Sequence, residues 1–259
     1  MEFLIFMFMT LLISSIGFYQ YVYFISLGYG FSIAALAITL IVMFDNMNMI
    51  CLLICICLFI YGMRLGIYLL IREQKNISYK SMIKEEVKDS LSLISKFLIW
   101  FSCSFFYVCQ ISPVYFRLIK FNEIDMISII GVMIMIIGVV LESLADFQKT
   151  KAKKKNENRF VDSGLYKKVR CPNYLGEIIF WSGVFISGMN CYHNFEWMMA
   201  LFGYLGIIYI MFAGARRLEI RQNKNYGHDV EYKKYVKATP ILIPFISLYS
   251  LEKYKWLKG

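Results

Sequence analysis

The sequence is short of charge, proline and histidine. Charged residues make up 18% of its 259 residues, and only 4 prolines and 2 histidines are present. Hydrophobic residues make up 59%, whereas a water-soluble domain usually has about 45–50% apolar and about 25% charged residues. The composition therefore excludes a soluble enzyme, a disordered chain and a nucleic-acid-binding module, although the net charge is +10. A polytopic membrane protein remains.

Seven apolar stretches approach the length of about 20 residues that a helix needs to cross a bilayer. They occupy residues 3–22, 25–44, 49–71, 91–112, 126–145, 174–190 and 197–214. Of the 28 lysines and arginines, 24 fall in segments 72–90, 145–173 and 215–259, whereas the alternate loops hold 2. Because cations stay on the cytoplasmic side, this alternation places the N-terminus outside and the C-terminus in the cytoplasm. We predict an all-α, multi-pass membrane bundle of about seven transmembrane helices, and we expect it in the bacterial plasma membrane.

Clustered metal ligands and nucleophile–base pairs are also missing. His193 and His228 are predicted on opposite sides of the membrane, which argues against a histidine metal site or a Ser-His-Asp triad. The 7 cysteines include no C-x-x-C pair, and most lie inside apolar runs. We therefore predict no metal site and no disulfide framework. Neither a G-x-G-x-x-G nor a Walker-type phosphate loop is present, so a nucleotide would have to be held in another way.

The chain is predicted to divide at residue 48. Residues 1–48 hold two spans without a motif, and residues 49–259 form a larger membrane domain that ends in the basic segment 215–259. Within this segment, Pro240 and Pro244 prevent a continuous helix through the apolar run that contains them. Two interpretations of the segment stay open: an interfacial helix lying on the bilayer, or a cap folded over a cytoplasmic cavity.

Polar side chains enter three predicted spans near their cytoplasmic ends. They are Arg64 in the third span, Glu142 and Asp146 in the fifth, and Asn173 and Glu177 in the sixth, followed by Trp181. Ionisable residues inside a membrane are costly, so each is a functional candidate, with an ion pair or a solvated helix end as the structural alternative. Residues four apart share one face of a helix. We therefore predict a polar cavity among spans three, five and six that faces the cytoplasm.

One run of residues resembles a known family. Residues 164–181 contain G-L-Y, R-C-P-N-Y-L-G-E and a final tryptophan, and this run resembles the membrane reductase family of DUF1295 proteins, steroid 5-alpha-reductases, sterol reductases and enoyl-CoA reductases. Residues 61–66 with Arg72 resemble the family's third-span motif, and residues 231–244 resemble the DUF1295 ending. Most DUF1295 proteins have histidine at the position of Cys171. Enoyl-CoA reductases resemble this chain in having cysteine there. The first two spans lack an embedded carboxylate, which weakens the case for a 3-oxo-steroid substrate.

The resemblance implies NADPH-dependent reduction of a conjugated C=C bond in a lipophilic substrate. This substrate would enter from the bilayer and would be steroid-like, isoprenoid or enoyl. The residues implied for catalysis are Tyr61, Tyr174 and Glu177. Those implied for cofactor binding are Asp146, Arg159, Arg170, Asn173, Glu177 and Arg216. Those implied for substrate binding are Arg64 and Trp181. Asn173 and Glu177 would hydrogen-bond the nicotinamide carboxamide, and Arg159 and Arg216 would neutralise phosphates. One of the two tyrosines would donate to the substrate carbonyl.

Two other functions stay open. Isoprenylcysteine carboxyl methyltransferases share the R-H-P-x-Y core and bind S-adenosylmethionine, which has no phosphates to pair with the nine cations of segment 145–173. The presence of both Asn173 and Glu177 favours the reductase. A lipid-binding or transport protein would need polar groups through the whole membrane, and none is visible in the outer half. Membrane lipids are the expected partners, without nucleic acid or an obligate protein partner.

Overall fold

The computed structural model describes residues 1–75, 91–120 and 123–257. These residues form α-helices and short 3-10 turns, and no strand occurs among them. The α-helices are α1 (Glu2–Ser14), α2 (Leu27–Met43), α3 (Met49–Lys75), α4 (Leu93–Lys120), α5 (Met126–Lys155), α6 (Pro172–Ser187), α7 (Phe195–Tyr226) and α8 (Val230–Ala238). The 3-10 turns are Ser15–Phe18, Tyr21–Phe24, Gly164–Lys167 and Met189–Cys191.

Five helical stretches of the described chain are long and apolar enough to cross a membrane. They are Tyr21–Met43, Met49–Gln74, Leu93–Lys120, Met126–Lys155 and Phe195–Tyr226. The prediction of an all-α integral membrane protein is confirmed. The first and sixth predicted spans are the shorter helices α1, of 13 residues, and α6, of 16 residues. Most of the basic segment 72–90 lies outside the described residues.

The first of two compact units comprises Met1–Val132 and Val184–Gly203. Its helices α2 and α3 are in backbone contact at three glycines. A Cβ atom at Gly62 would stand 2.5 Å from the Gly30 carbonyl oxygen, and one at Gly30 would stand 2.7 Å from the Gly66 nitrogen. Close helix approach through small residues is the usual packing mode of membrane helices. The division predicted at residue 48 lies inside this unit.

Arg117, one of the two cations of the predicted outer loops, is buried in the first unit. Its guanidinium donates to Asp125 at 3.1 Å, to the Ser187 carbonyl at 3.0 Å and to the Glu123 carbonyl at 2.8 Å. Burial raises the pKa of Asp125, but hydrogen bonds from Ser128 and other neighbours outweigh it and lower this pKa to about 2. The charge of Arg117 is therefore neutralised within the fold.

The second unit comprises Met133–Gly183 and the chain from Tyr204 onward. Here α5 crosses α6 at two glycines, one on each helix. A Cβ atom at Gly138 would stand 2.5 Å from the Phe180 nitrogen, and one at Gly176 would stand 2.8 Å from the Glu142 nitrogen. The close approach places the first turns of α6 against the last turns of the apolar part of α5.

After α8 the chain forms an irregular C-terminal segment, residues 240–257, with no α-helix. This agrees with the prediction from the two prolines. The segment begins with backbone pairing, because the Arg170 nitrogen donates to the Pro240 carbonyl and the Cys171 nitrogen donates to the Ile241 carbonyl, both at 2.9 Å. Its apolar side chains pack around Cys171 and Ala215. The segment is therefore a folded part of the second unit.

Candidate functional site

Three carboxylates are buried where α5 and α6 meet in the second unit. Glu142 and Asp146 of α5 are 3% and 7% exposed, and Glu177 of α6 is 5% exposed. The backbones of Gly176 and Glu142 are in contact, Glu177 follows Gly176 on α6, and Asp146 lies one turn beyond Glu142 on α5. Buried acids need hydrogen-bond donors or cations around them. Two of these three buried carboxylates, Asp146 and Glu177, are predicted site residues.

Asn173 and Tyr174 are half-buried at the start of α6. Asn173 and Glu177 are four residues apart and share a face of the helix. The Tyr174 ring lies against Gly214 of α7, where a Cβ atom would stand 3.4 Å from the ring and 3.5 Å from the hydroxyl oxygen. One turn beyond Glu177, Trp181 is 2% exposed. The start of α6 thus places an amide, a phenol and a carboxylate on adjacent turns.

Arg170 forms a buried ion pair with Glu219 of α7. Its Nη2 donates to Glu219 Oε1 at 2.9 Å, and both side chains are 1% exposed. The same nitrogen donates to the Tyr249 carbonyl, and Glu219 Oε2 accepts from the Leu251 nitrogen at 2.8 Å. These contacts connect α7 to the C-terminal segment. They give Arg170 an internal partner, and its predicted role in cofactor binding stays a prediction.

Glu219 was missed by sequence reasoning. Its only signal is an acid placed among cations in A-R-R-L-E-I-R, just after the seventh predicted span. That pattern indicates an exposed helix face with surface ion pairs rather than a buried one. The partner is also 49 residues distant in sequence.

Arg159 lies on the surface of the loop that follows α5. Its guanidinium donates to Glu231 at 2.8 Å and to Asp162 at 2.9 Å, and its side chain is 44% exposed. Hydrogen bonds from Arg159 to Asp162 and Glu231 raise the pKa of the guanidinium. Lys153 of α5 connects this loop to α7, because its ammonium donates to the Arg159 carbonyl at 2.8 Å and to the Tyr226 hydroxyl at 2.9 Å.

Arg216, another predicted phosphate ligand, is bonded to neutral acceptors. Its guanidinium donates to the carbonyls of Glu252 and Leu257, each at 3.3 Å.

Near the start of α6, burial raises the pKa of Cys171 to about 12. This thiol therefore stays protonated at neutral pH, and it is neither a base nor a nucleophile there.

Two predicted site residues, Tyr61 and Arg64, belong to α3 of the first unit. Tyr61 is fully buried, and its hydroxyl shares a hydrogen bond of 2.8 Å with that of Tyr29 on α2. Gln110 of α4 donates to the Tyr29 hydroxyl at 3.4 Å. Sequence reasoning missed Tyr29 and Gln110, because a single tyrosine or glutamine in an apolar span resembles ordinary packing. Arg64 is half-buried one turn after Tyr61.

The predicted site residues are thus divided between the two units. Asp146, Asn173, Tyr174, Glu177 and Trp181 lie along α5 and α6 of the second unit, and the joint cavity with α3 stays a prediction. Within residues 1–75, 91–120 and 123–257, no three His, Cys, Asp or Glu side chains cluster in the manner of metal ligands.

Comparison with known proteins gives one family and one curated relative. The family model described as "Protein of unknown function (DUF1295)" matches residues 13–239. Steroid 5-alpha-reductase DET2 from Arabidopsis thaliana is 24% identical over 121 residues, which are 46% of this chain and 41% of that protein. The match therefore spans less than half of the relative's length. No solved structure matches the chain significantly.

Proposed function

Because this chain belongs to the DUF1295 family, with a match over residues 13–239, and is similar in part to a steroid 5-alpha-reductase, we propose that it is a membrane-embedded reductase. The proposed reaction is NADPH-dependent reduction of a conjugated C=C bond in a lipophilic carbonyl compound. The bacterial plasma membrane is its expected location. The observation that carries this proposal is the backbone contact at Gly176, which brings the polar start of α6 to the acidic end of α5.

Asn173 and Glu177 are proposed to bind the nicotinamide carboxamide. A carboxylate accepts hydrogen bonds, and an asparagine amide both donates and accepts, so the two side chains complement both halves of a carboxamide. NADPH, when bound, supplies the hydride. Asp146 would accept from a ribose hydroxyl or an adenine amine. The buried position of Glu177, at 5% exposure, would hold the ring in one orientation and exclude water.

The phosphates are proposed to bind at the surface of the loop after α5. Lys151, Lys154 and Lys155 are exposed there, as is Arg159. The ion pairs of Arg159 with Asp162 and Glu231 are exposed, so they stabilise the fold by about 0–1 kcal/mol and can be exchanged for a phosphate. Arg216 can join them, since its acceptors are neutral carbonyls.

Arg170 is left out of the proposed phosphate ligands. Its guanidinium bonds to Glu219 in the interior, and release would leave a buried carboxylate uncompensated. Such a change costs about 3–5 kcal/mol. We propose instead that Arg170 holds the C-terminal segment in place.

The substrate carbonyl is proposed to accept a hydrogen bond from Tyr61 or Tyr174. Gln110, Tyr29 and Tyr61 form a hydrogen-bonded series inside the first unit, and this series orients the Tyr61 hydroxyl. Arg64, one turn away, would favour the phenolate that remains after proton donation. Trp181 would contact the apolar body of the substrate. The lipophilic substrate would enter laterally from the bilayer.

Thermal unfolding of the detergent-purified protein with NADPH, NADH or S-adenosylmethionine tests the proposal. Binding to the folded state at about 100 times Kd stabilises a protein by about 2.7 kcal/mol. We expect NADPH to raise Tm most, NADH less and S-adenosylmethionine not at all. A rise in Tm with S-adenosylmethionine and none with NADPH would contradict the proposed reductase and favour a methyltransferase. Reduction of an enone, followed by loss of NADPH absorbance, is the complementary assay.

A further inference from the structure

A slot lies between part of α7 and part of the C-terminal segment in the second unit. It has a volume of about 370 Å³, and its walls include Leu205, Ile208 and Phe212 of α7 and Leu248, Tyr254 and Trp256 of the segment. Leu205 and Phe212 are seven residues apart, so the slot extends about 10 Å along the helix axis. The lining is almost entirely apolar.

The slot opens on the side where α7 would meet lipid. Leu205 is 56% exposed and Trp256 is 66% exposed, although both are large and apolar. Both flank the slot, and α7 is one of the helices able to cross a membrane. Exposed apolar side chains at this position are stable in hydrocarbon and unfavourable in water. The open side of the slot is therefore suited to the bilayer.

The outer wall of the slot is held by specific contacts. The Tyr209 ring is stacked on that of Trp256 at 6.2 Å, and its hydroxyl donates to the Trp256 carbonyl at 3.2 Å. The Arg216 guanidinium donates to the carbonyls of Glu252 and Leu257, two further residues of the same segment. The slot is thus a built feature of the fold.

The same segment carries an exposed aromatic residue at a turn. The Ile241 nitrogen donates to the Leu248 carbonyl at 2.9 Å, which closes a loop with Phe245 at its tip. Phe245 is fully exposed and has a φ of +67°, a conformation that bulky residues rarely adopt. Its neighbour Ile246 is 52% exposed. An aromatic side chain presented in this way is favourable at a membrane interface.

Cations lie beside the aromatic rim. The Lys253 ammonium is 5.1 Å from the centre of the Tyr254 ring, which lines the slot, and Lys255, the residue after Tyr254, is exposed. Glu252 is the one acid between residues 248 and 257. An apolar slot with lysines at its rim is complementary to an acyl chain that ends in an anionic head group.

We propose that the slot binds an acyl chain of an anionic phospholipid from the predicted cytoplasmic leaflet, with its phosphate on Lys253 and Lys255. Phe245 and Ile246 insert into the same leaflet and fix the loop there. The bound lipid completes the packing between α7 and the C-terminal segment, so it stabilises the second unit. The lipid contacts proposed here do not include Asn173, Glu177 or Arg159, so lipid binding and NADPH binding can be measured separately.

Lipid titration of the full-length protein in detergent tests this proposal, with native mass spectrometry for bound lipid and thermal unfolding for stability. Phosphatidylglycerol and phosphatidylcholine with identical acyl chains are compared. We expect phosphatidylglycerol to bind about 10-fold more tightly and to raise Tm. The double variant Lys253→Gln, Lys255→Gln should lower its affinity to that of phosphatidylcholine. Equal affinities of the two lipids for the unmodified protein would overturn the proposal.

A second set of variants tests the slot itself. Ile208→Trp places a larger side chain in the slot and should weaken phosphatidylglycerol binding, whereas Met199→Trp, at the wall of a cavity of about 610 Å³ in the first unit, should leave it unchanged. If Ile208→Trp does not fold, Trp256→Ala, which removes one wall, should weaken binding instead. Unchanged binding in the folded slot variants, or displacement of the lipid by an enone steroid, would overturn the proposal. Stabilisation by NADPH, measured on the same samples, reports separately on the proposed function.

Discussion

Arg170 and Glu219 form an ion pair of 2.9 Å in which both side chains are 1% exposed. Arg170 precedes α6, and Glu219 lies on α7, so the pair joins distant parts of the second unit. The pair also bonds to the backbone at Tyr249 and Leu251. Removal of one partner would leave a buried charge, which is far more costly than the loss of a surface ion pair.

The first prediction concerns this pair. Glu219→Gln should destabilise the protein by about 3–5 kcal/mol, because Arg170 would stay charged in the interior. Replacement of both residues, as Arg170→Met with Glu219→Leu, should restore much of the loss. Arg159→Gln removes an exposed arginine and should change stability by less than about 1 kcal/mol. Unfolding of each variant without ligand gives the comparison, and equal losses for Glu219→Gln and Arg159→Gln would contradict the burial argument.

The second prediction concerns Glu177. Glu177→Gln keeps the shape of the side chain but changes an acceptor into a donor. It should reduce hydride transfer by about 10²-fold if it disturbs the geometry of the nicotinamide. Glu123, an exposed residue just before α5 in the first unit, provides the control, as Glu123→Gln should leave turnover unchanged. If Glu177 only joined helices, the variant would melt earlier without ligand while its affinity for NADPH stayed the same.

The third prediction concerns the choice between NADPH and NADH. Arg159→Ala should reduce the preference for NADPH by about 10-fold, since a charged hydrogen bond to the extra phosphate contributes about 1.5–3 kcal/mol. Lys237→Ala, at an exposed position of α8, is the matched control. Binding of both nucleotides is measured by thermal shift at several concentrations. An unmodified protein that bound both equally well would remove the phosphate role of this loop.

The fourth prediction concerns acid stability. The pKa of Asp125 is about 2 in the folded protein and about 4 in an unfolded chain, so the unfolded chain binds the proton first as pH falls. The stabilisation, roughly 2 kcal/mol, is complete above pH of about 4 and is lost as pH falls toward 2. Asp125→Asn should remove this part of the pH dependence, and the exposed Asp162→Asn should retain it. Tm measured between pH 2 and pH 6 tests both.

Helix positions, membrane character and the location of the polar start of α6 follow from the sequence itself. Hydropathy and charge are local properties, and each is sampled over a window no longer than one helix. The run of residues 164–181 therefore indicated both the family and the place of Asn173 and Glu177 before any packing was known. Pro240 and Pro244 likewise excluded a helix in the C-terminal segment, because the ring of proline acts on its own backbone.

The partners of these residues were decided only by tertiary structure. Arg170 pairs with Glu219, 49 residues away, and Tyr61 pairs with Tyr29, 32 residues away. Such pairs depend on which helix faces come together, and this depends on close contacts at glycines such as Gly30 rather than on polar pattern. The identity of a residue does not show whether its side chain is buried, so the sequence could not distinguish the buried Arg170 from the exposed Arg159. Their opposite exposures result from packing, which is a property of the whole unit.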